Sequence, residues 1–134
     1  MDEHLCTLED LIQIIRKFVK ERDWEQYNHP LNLAVSASIE AGELLELFQW
    51  KNETDVEEAL KDEKFRKALA SEIADVLVYV LRVADTAGID PTTAILEKMK
   101  QNREKYPIDY WSGRAPSRFN RPECDENRDR KSVV

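Results

Sequence analysis

The sequence predicts an all-α fold: an antiparallel bundle of four main helices, assembled into an oligomer, with a disordered C-terminal tail. Three observations carry that prediction. Apolar residues recur at helical spacing along most of the chain, and no stretch alternates with the period of two that a strand requires. Glycine is scarce, three in 134 residues, and Pro30, Gly88, Pro91 and Pro107 fall where helices start or stop. The connections between periodic stretches are short, which favours antiparallel neighbours.

Each element follows from its residues. In residues 8–19, Leu8, Leu11, Ile12, Ile15, Phe18 and Val19 keep the spacing of a one-sided helix. Thr7 is placed to cap it, with Asp10 in its first turn. This helix should end around Asp23 and Trp24. Residues 24–30 read as a loop, closed by Pro30 near the start of a second helix over residues 31–50. Residues 51–62 are polar and hold a short helix or loop. A third long helix runs over residues 63–87, with Gly88 as its stop. Asp90-Pro91 then reads as a cap followed by proline at the first helical position, and a last helix covers residues 92–105. Beyond Pro107, Arg, Pro, Ser, Asn and acids dominate, and apolar residues are too sparse for a packed element. The division is therefore one domain, residues 1–110, and a flexible tail, residues 111–134.

The third helix also predicts the oligomer. Residues 73–84 read IADVLVYVLRVA, with only Asp75 and Arg82 charged. A helix apolar on more than one face needs more cover than a small four-helix monomer provides, so a homo-dimer or homo-tetramer is expected.

Composition narrows the function. Hydrophobic residues make up 42%, as in ordinary globular proteins. No apolar run is long enough for a bilayer span, and the acidic N-terminus has no signal-peptide core, so no membrane association is expected. Cys6 and Cys124 lie far apart and give no disulfide framework, which makes a reducing, cytoplasmic setting the default. The net charge of −7 and pI near 4.9 argue against a nucleic acid polymer as partner, which would need a basic face. A small phosphorylated ligand arriving with its own cation is compatible with this charge. No glycine-rich phosphate loop occurs.

Two carboxylate pairs carry the chemistry. Glu40 and Glu43 lie three residues apart, as do Glu72 and Asp75, each pair within a markedly apolar stretch. On a helix that spacing places both side chains on one face, roughly 4.5 Å apart along the axis. If the second and third helices lie side by side, the pairs converge. An all-round apolar segment is usually buried, and a buried carboxylate needs a pair, hydrogen bonds or a metal. Four oxygen ligands without His or Cys favour Mg²⁺, with Mn²⁺ as an alternative, over zinc. The implied chemistry is metal-assisted attack of water on a phosphoanhydride. For either pair alone, a solvated helix face or a salt bridge is the simpler reading. A ferritin-like di-iron centre would require Glu-x-x-His on two helices, and neither His4 nor His29 supplies it.

The segments IEAGELLELFQW and SEIADVLVYVL together match an ExxE…ExxD pattern. In this the chain resembles the all-α nucleoside triphosphate pyrophosphohydrolases of the MazG-like superfamily. ERDWEQ at residues 21–26, ELFQWK at 46–51 and KMKQNREKYP at 98–107 resemble the dCTP pyrophosphatase branch. The resemblance covers residues 8–107. It implies a helical bundle forming dimers or tetramers, and Mg²⁺-dependent hydrolysis of (d)NTP to (d)NMP and pyrophosphate. It assigns Glu40, Glu43, Glu72 and Asp75 as metal ligands, with one glutamate instead orienting or deprotonating the water. Glu46 continues the series, with an exposed helix acid as the equal alternative.

The same branch implies a substrate pocket. Trp24, Trp50 and Tyr79 resemble its base-binding aromatics, and a planar ring stacks on any nucleobase. Tyr79 follows Asp75 by four residues and so shares its face. Ordinary core packing is the competing reading for Trp50 and Tyr79. A bulky aromatic in a loop, as Trp24 is, more readily marks a contact. Lys98 and Asn102, four residues apart on the last helix, resemble phosphate and sugar contacts, with Arg103 and Tyr106 in the same motif. A solvated surface charge is the plain alternative for Lys98 and Arg103. Two other functions compete: a helical oligomer that binds nucleotide or metal without hydrolysis, and a phosphoribosyl-ATP pyrophosphohydrolase.

Overall fold

A computed structural model describes residues 6–119. Four long helices lie where periodicity expects them: α1 (Leu8–Glu21), α2 (Pro30–Glu46), α4 (Glu63–Thr86) and α5 (Pro91–Lys105), with the short α3 (Glu53–Ala59) between α2 and α4. A last short helix, α6 (Ile108–Trp111), follows Pro107. The all-helical expectation holds.

Local chemistry sets the ends. Thr7 and Asp10 form a reciprocal capping box, with the Asp10 amide donating to the Thr7 hydroxyl and the Thr7 amide donating to the Asp10 carboxylate. His29 caps α2 by accepting the Leu31 amide on Nδ1, and Pro30 opens the helix. Asn52 and Asp55 make a second capping box on α3. Gly88, at φ 71°, ends α4 in the left-handed region that a side chain disfavours. Asp90 accepts the Thr92 amide at the start of α5.

The chain divides into two compact units between Thr92 and Thr93. In the first, α4 is the central element, packed against both α2 and α1. The α2–α4 pair is antiparallel. Asn28, just before α2, bonds Arg82 near the end of α4, whereas Phe48, just past α2, meets Phe65 near its start with ring centroids 6.0 Å apart. Ile12 and Val19 of α1 and Leu33 of α2 are buried, as is Arg82.

A single chain leaves α4 partly uncovered, as its pattern of apolar residues implies. The apolar run of α4 is not buried all round: Ile73, Leu77, Val78 and Val80 are exposed in the single chain, as are Leu31, Val35, Ile39 and Leu45 of α2. A helix gripped by two neighbours has only two of its faces covered.

In the second unit, Trp111 of α6 packs edge-on against Tyr106 and Tyr110, with the Arg114 guanidinium over the Tyr110 ring. This helix was not expected; four residues are too few to show a period. Of the expected tail, residues 111–134, the structure describes 111–119, and residues 120–134 lie outside the described residues.

Candidate functional site

Helix α2 presents Glu40 and Glu43 one turn apart, and the antiparallel register of α4 brings Glu72 opposite them. One carboxylate oxygen from each of the three lies within 4.8 Å of the others. Glu40 and Glu72 are half-buried and Glu43 is exposed, so the cluster lines an open seam and does not sit in a closed interior. Oε2 of Glu40 and Oε2 of Glu72 are each buried without a hydrogen-bond partner. Among the described residues, no lysine or arginine forms an ion pair with these acids.

The electrostatics follow from that crowding. Glu40 is pushed up to about 7, first by a hydrogen bond with Glu43, then by desolvation and the charges of Glu43, Asp75 and Glu72. Glu72 is also raised, chiefly by desolvation and then by the charges of Glu43 and Asp75, with a smaller push from Glu46. Asp75 is exposed and lies outside the tight trio, yet its charge reaches both Glu40 and Glu72. Glu46 is an exposed helix acid whose charge Glu72 feels. Unpartnered oxygens, mutual repulsion and an all-carboxylate donor set together fit a hard divalent cation.

The remaining sequence-predicted residues are more dispersed. Tyr79, half-buried on α4, lies one turn beyond Asp75. Trp24 follows α1; its amide donates to the Val19 carbonyl at 3.0 Å, and its ring, 46% exposed, meets Phe18 edge-on with centroids 5.8 Å apart. Trp50, just past α2, is 93% exposed and holds φ 66°, a left-handed conformation unusual for a bulky residue. Lys98 and Asn102 belong to α5 in the second unit, where Lys98 is exposed and Asn102 half-buried.

Sequence reasoning gave no role to Arg82, the lone base in the apolar run. The structure makes it the centre of a polar network. Its Nη1 donates to Asp85 Oδ2 at 2.7 Å and its Nε to Asn28 Oδ1 at 3.0 Å. Asp85 also takes a two-pronged contact from Arg16 of α1, Nη2 to Oδ1 at 2.6 Å and Nε to Oδ2 at 3.1 Å. These partners hold the Asp85 carboxyl below its ordinary range, Arg16 contributing most. The available signal was an Arg with an Asp three residues on, inside a run that otherwise carries no base.

Comparison with known proteins places this geometry in context. The model of the MazG-like family matches residues 35–115. Mouse (Mus musculus) dCTP pyrophosphatase 1 is 41% identical over 109 residues, covering 81% of this chain and 64% of that protein. Human (Homo sapiens) dCTP pyrophosphatase 1 is 42% identical over 101 residues, covering 75% of this chain and 59% of that protein. The chain thus spans less than two thirds of the length of these relatives. The crystal structure of a pyrophosphatase from Archaeoglobus fulgidus superposes with a TM-score of 0.69 at 44% identity, covering 80% of this chain and 98% of that one. Among the described residues, no helix is long and apolar enough to cross a membrane.

Proposed function

Because the chain belongs to the MazG-like family, we propose that it is a nucleoside triphosphate pyrophosphohydrolase, cutting (d)NTP to (d)NMP and pyrophosphate. The observation that carries this is the trio Glu40, Glu43 and Glu72, whose carboxylates converge and of which Glu40 and Glu72 each keep one buried, unpartnered oxygen. The relatives named dCTP pyrophosphatase point to dCTP or a modified pyrimidine deoxynucleotide as substrate. A cytoplasmic, nucleotide-pool role belongs to the same reading.

In this reading Glu40, Glu43, Glu72 and Asp75 hold Mg²⁺, or Mn²⁺ in its place. The cation, when bound, neutralises phosphate charge and polarises the phosphoanhydride. One of the glutamates orients the attacking water and takes its proton. Water supplies the new oxygen, the α–β phosphoanhydride bond breaks, and pyrophosphate departs with the bonding electron pair. Trp24, Trp50 and Tyr79 bind the base by stacking. Lys98 and Asn102 contact phosphate and sugar, an assignment resting on the resemblance alone.

Product analysis tests the proposal. A panel of (d)NTPs and 5-substituted dCTPs, incubated with Mg²⁺, should give monophosphate and pyrophosphate from a pyrimidine deoxynucleotide. Glu43→Gln and Asp75→Asn should each lower kcat at least about a hundredfold while the helical circular dichroism is kept. Full activity in both variants would remove the acids from the mechanism. Orthophosphate as the product would rule out this reaction class.

A further inference from the structure

The Arg82 network ends at a residue of the proposed pocket. Asn28 uses both ends of its amide: Oδ1 accepts Arg82 Nε at 3.0 Å, and Nδ2 donates to the Trp24 carbonyl at 2.7 Å. Arg82 is 6% exposed and cannot shift without leaving a buried charge unpaired. It is braced by Asp85, which Arg16 holds from α1. A rigid line therefore runs from the interior of α4 through one asparagine to the backbone of Trp24. The Trp24 ring itself is half exposed and held by an edge contact with Phe18 alone among the described rings. An aromatic that stacks a ligand gains affinity from being fixed in advance.

We propose that Arg82 and Asn28 are positioning residues that set Trp24 for base stacking, a role that rests on the pyrophosphohydrolase reading of Trp24. Helix α4 then serves both ends of a nucleotide. Glu72 and Asp75 act at the phosphates, and Arg82, two turns beyond Asp75 and about 10 Å along the axis, secures the base platform. Neither positioning residue touches the ligand.

The test is a kinetic cycle on the best nucleotide of the panel. Asn28→Asp keeps the acceptor for Arg82 and removes the donor to Trp24. It should raise KM about three- to tenfold with kcat within about twofold of wild type. Arg82→Lys keeps charge beside Asp85 and removes the Nε contact; it should do the same, and it decides the matter if Asn28→Asp does not fold. Trp24→Ala should raise KM at least as far. The Asn28→Asp, Trp24→Ala double variant should be no worse than Trp24→Ala, because both changes remove one stacking interaction. A wild-type KM in Asn28→Asp beside a raised KM in Trp24→Ala overturns the positioning role and leaves the base reading intact. A wild-type KM in Trp24→Ala overturns both. A lowered melting temperature and kcat at unchanged KM marks a purely structural role and also overturns the proposal. If wild type turns over no nucleotide, the pyrophosphohydrolase reading falls, and the same cycle read as dissociation constants for Mg-dCTP decides the positioning role.

Discussion

At the scale of single residues, the proton on Glu40 is the most consequential detail. Its folded value, about 7, stands above its ordinary value of 4.5. Below pH 4.5 it is protonated whether the chain is folded or not. Between 4.5 and 7 the folded state keeps a proton that the unfolded state has released, so stability falls as pH rises through that window. Glu72 acts in the same direction. Metal-free protein should therefore melt at a lower temperature at pH 8 than at pH 5 through these groups, and Glu40→Gln should flatten the curve. Mg²⁺ or Mn²⁺ should raise the melting temperature more at pH 8, because the cation replaces a proton. A melting temperature that rises steadily from pH 5 to 8 without metal, in wild type but not in Glu40→Gln, would contradict this. The i, i+3 spacing made the acid pairs legible in the sequence. Their half-open setting was not, because apolar neighbours in sequence do not say which faces of a helix another element covers.

At the scale of elements, short-range chemistry was readable wherever one residue decides the outcome. Thr7 with Asp10, Gly88, and Asp90 before Pro91 all lie where caps and stops were expected. The capping box of α3 was missed although Asn52 and Asp55 keep the spacing of Thr7 and Asp10, because α3 is too short to show a period; the His29 cap of α2 was missed because histidine is not among the usual capping residues. Trp50 was read as an aromatic of a helix, yet it sits past α2 with φ 66°. A left-handed backbone at a non-glycine residue costs roughly 1 kcal/mol or more. Trp50→Gly should relieve that cost and leave the protein no less stable in urea unfolding, with a gain of up to about 1 kcal/mol after the entropy of glycine is set against it. The same variant should raise KM severalfold. A marked loss of stability would show that the exposed ring is packed against something, and an unchanged KM would remove Trp50 from the pocket.

At the scale of the whole molecule, the exposed apolar faces of α2 and α4 call for a second copy. Leu77 is 55% exposed and Val80 49% exposed in the single chain, far more than a core helix tolerates in water. Sedimentation should give a mass at two or four times 15.7 kDa, and Leu77→Asp should shift it toward one. A wild type at 15.7 kDa would refute the oligomer. That α4 is apolar on more faces than one chain covers was legible; which of its side chains stay open was not, since that depends on packing partners distant in sequence. The antiparallel register has one last consequence. From Asp75 to Arg82 is seven residues, almost two whole helical turns, so the two side chains share an azimuth. Helix α4 is thus a phased ruler. One residue inserted between these marks would swing Arg82 about 100° away from Asn28, whereas seven would restore the heading at the wrong distance. Evolution can trade side chains along this stretch with some freedom, but it can scarcely change its length.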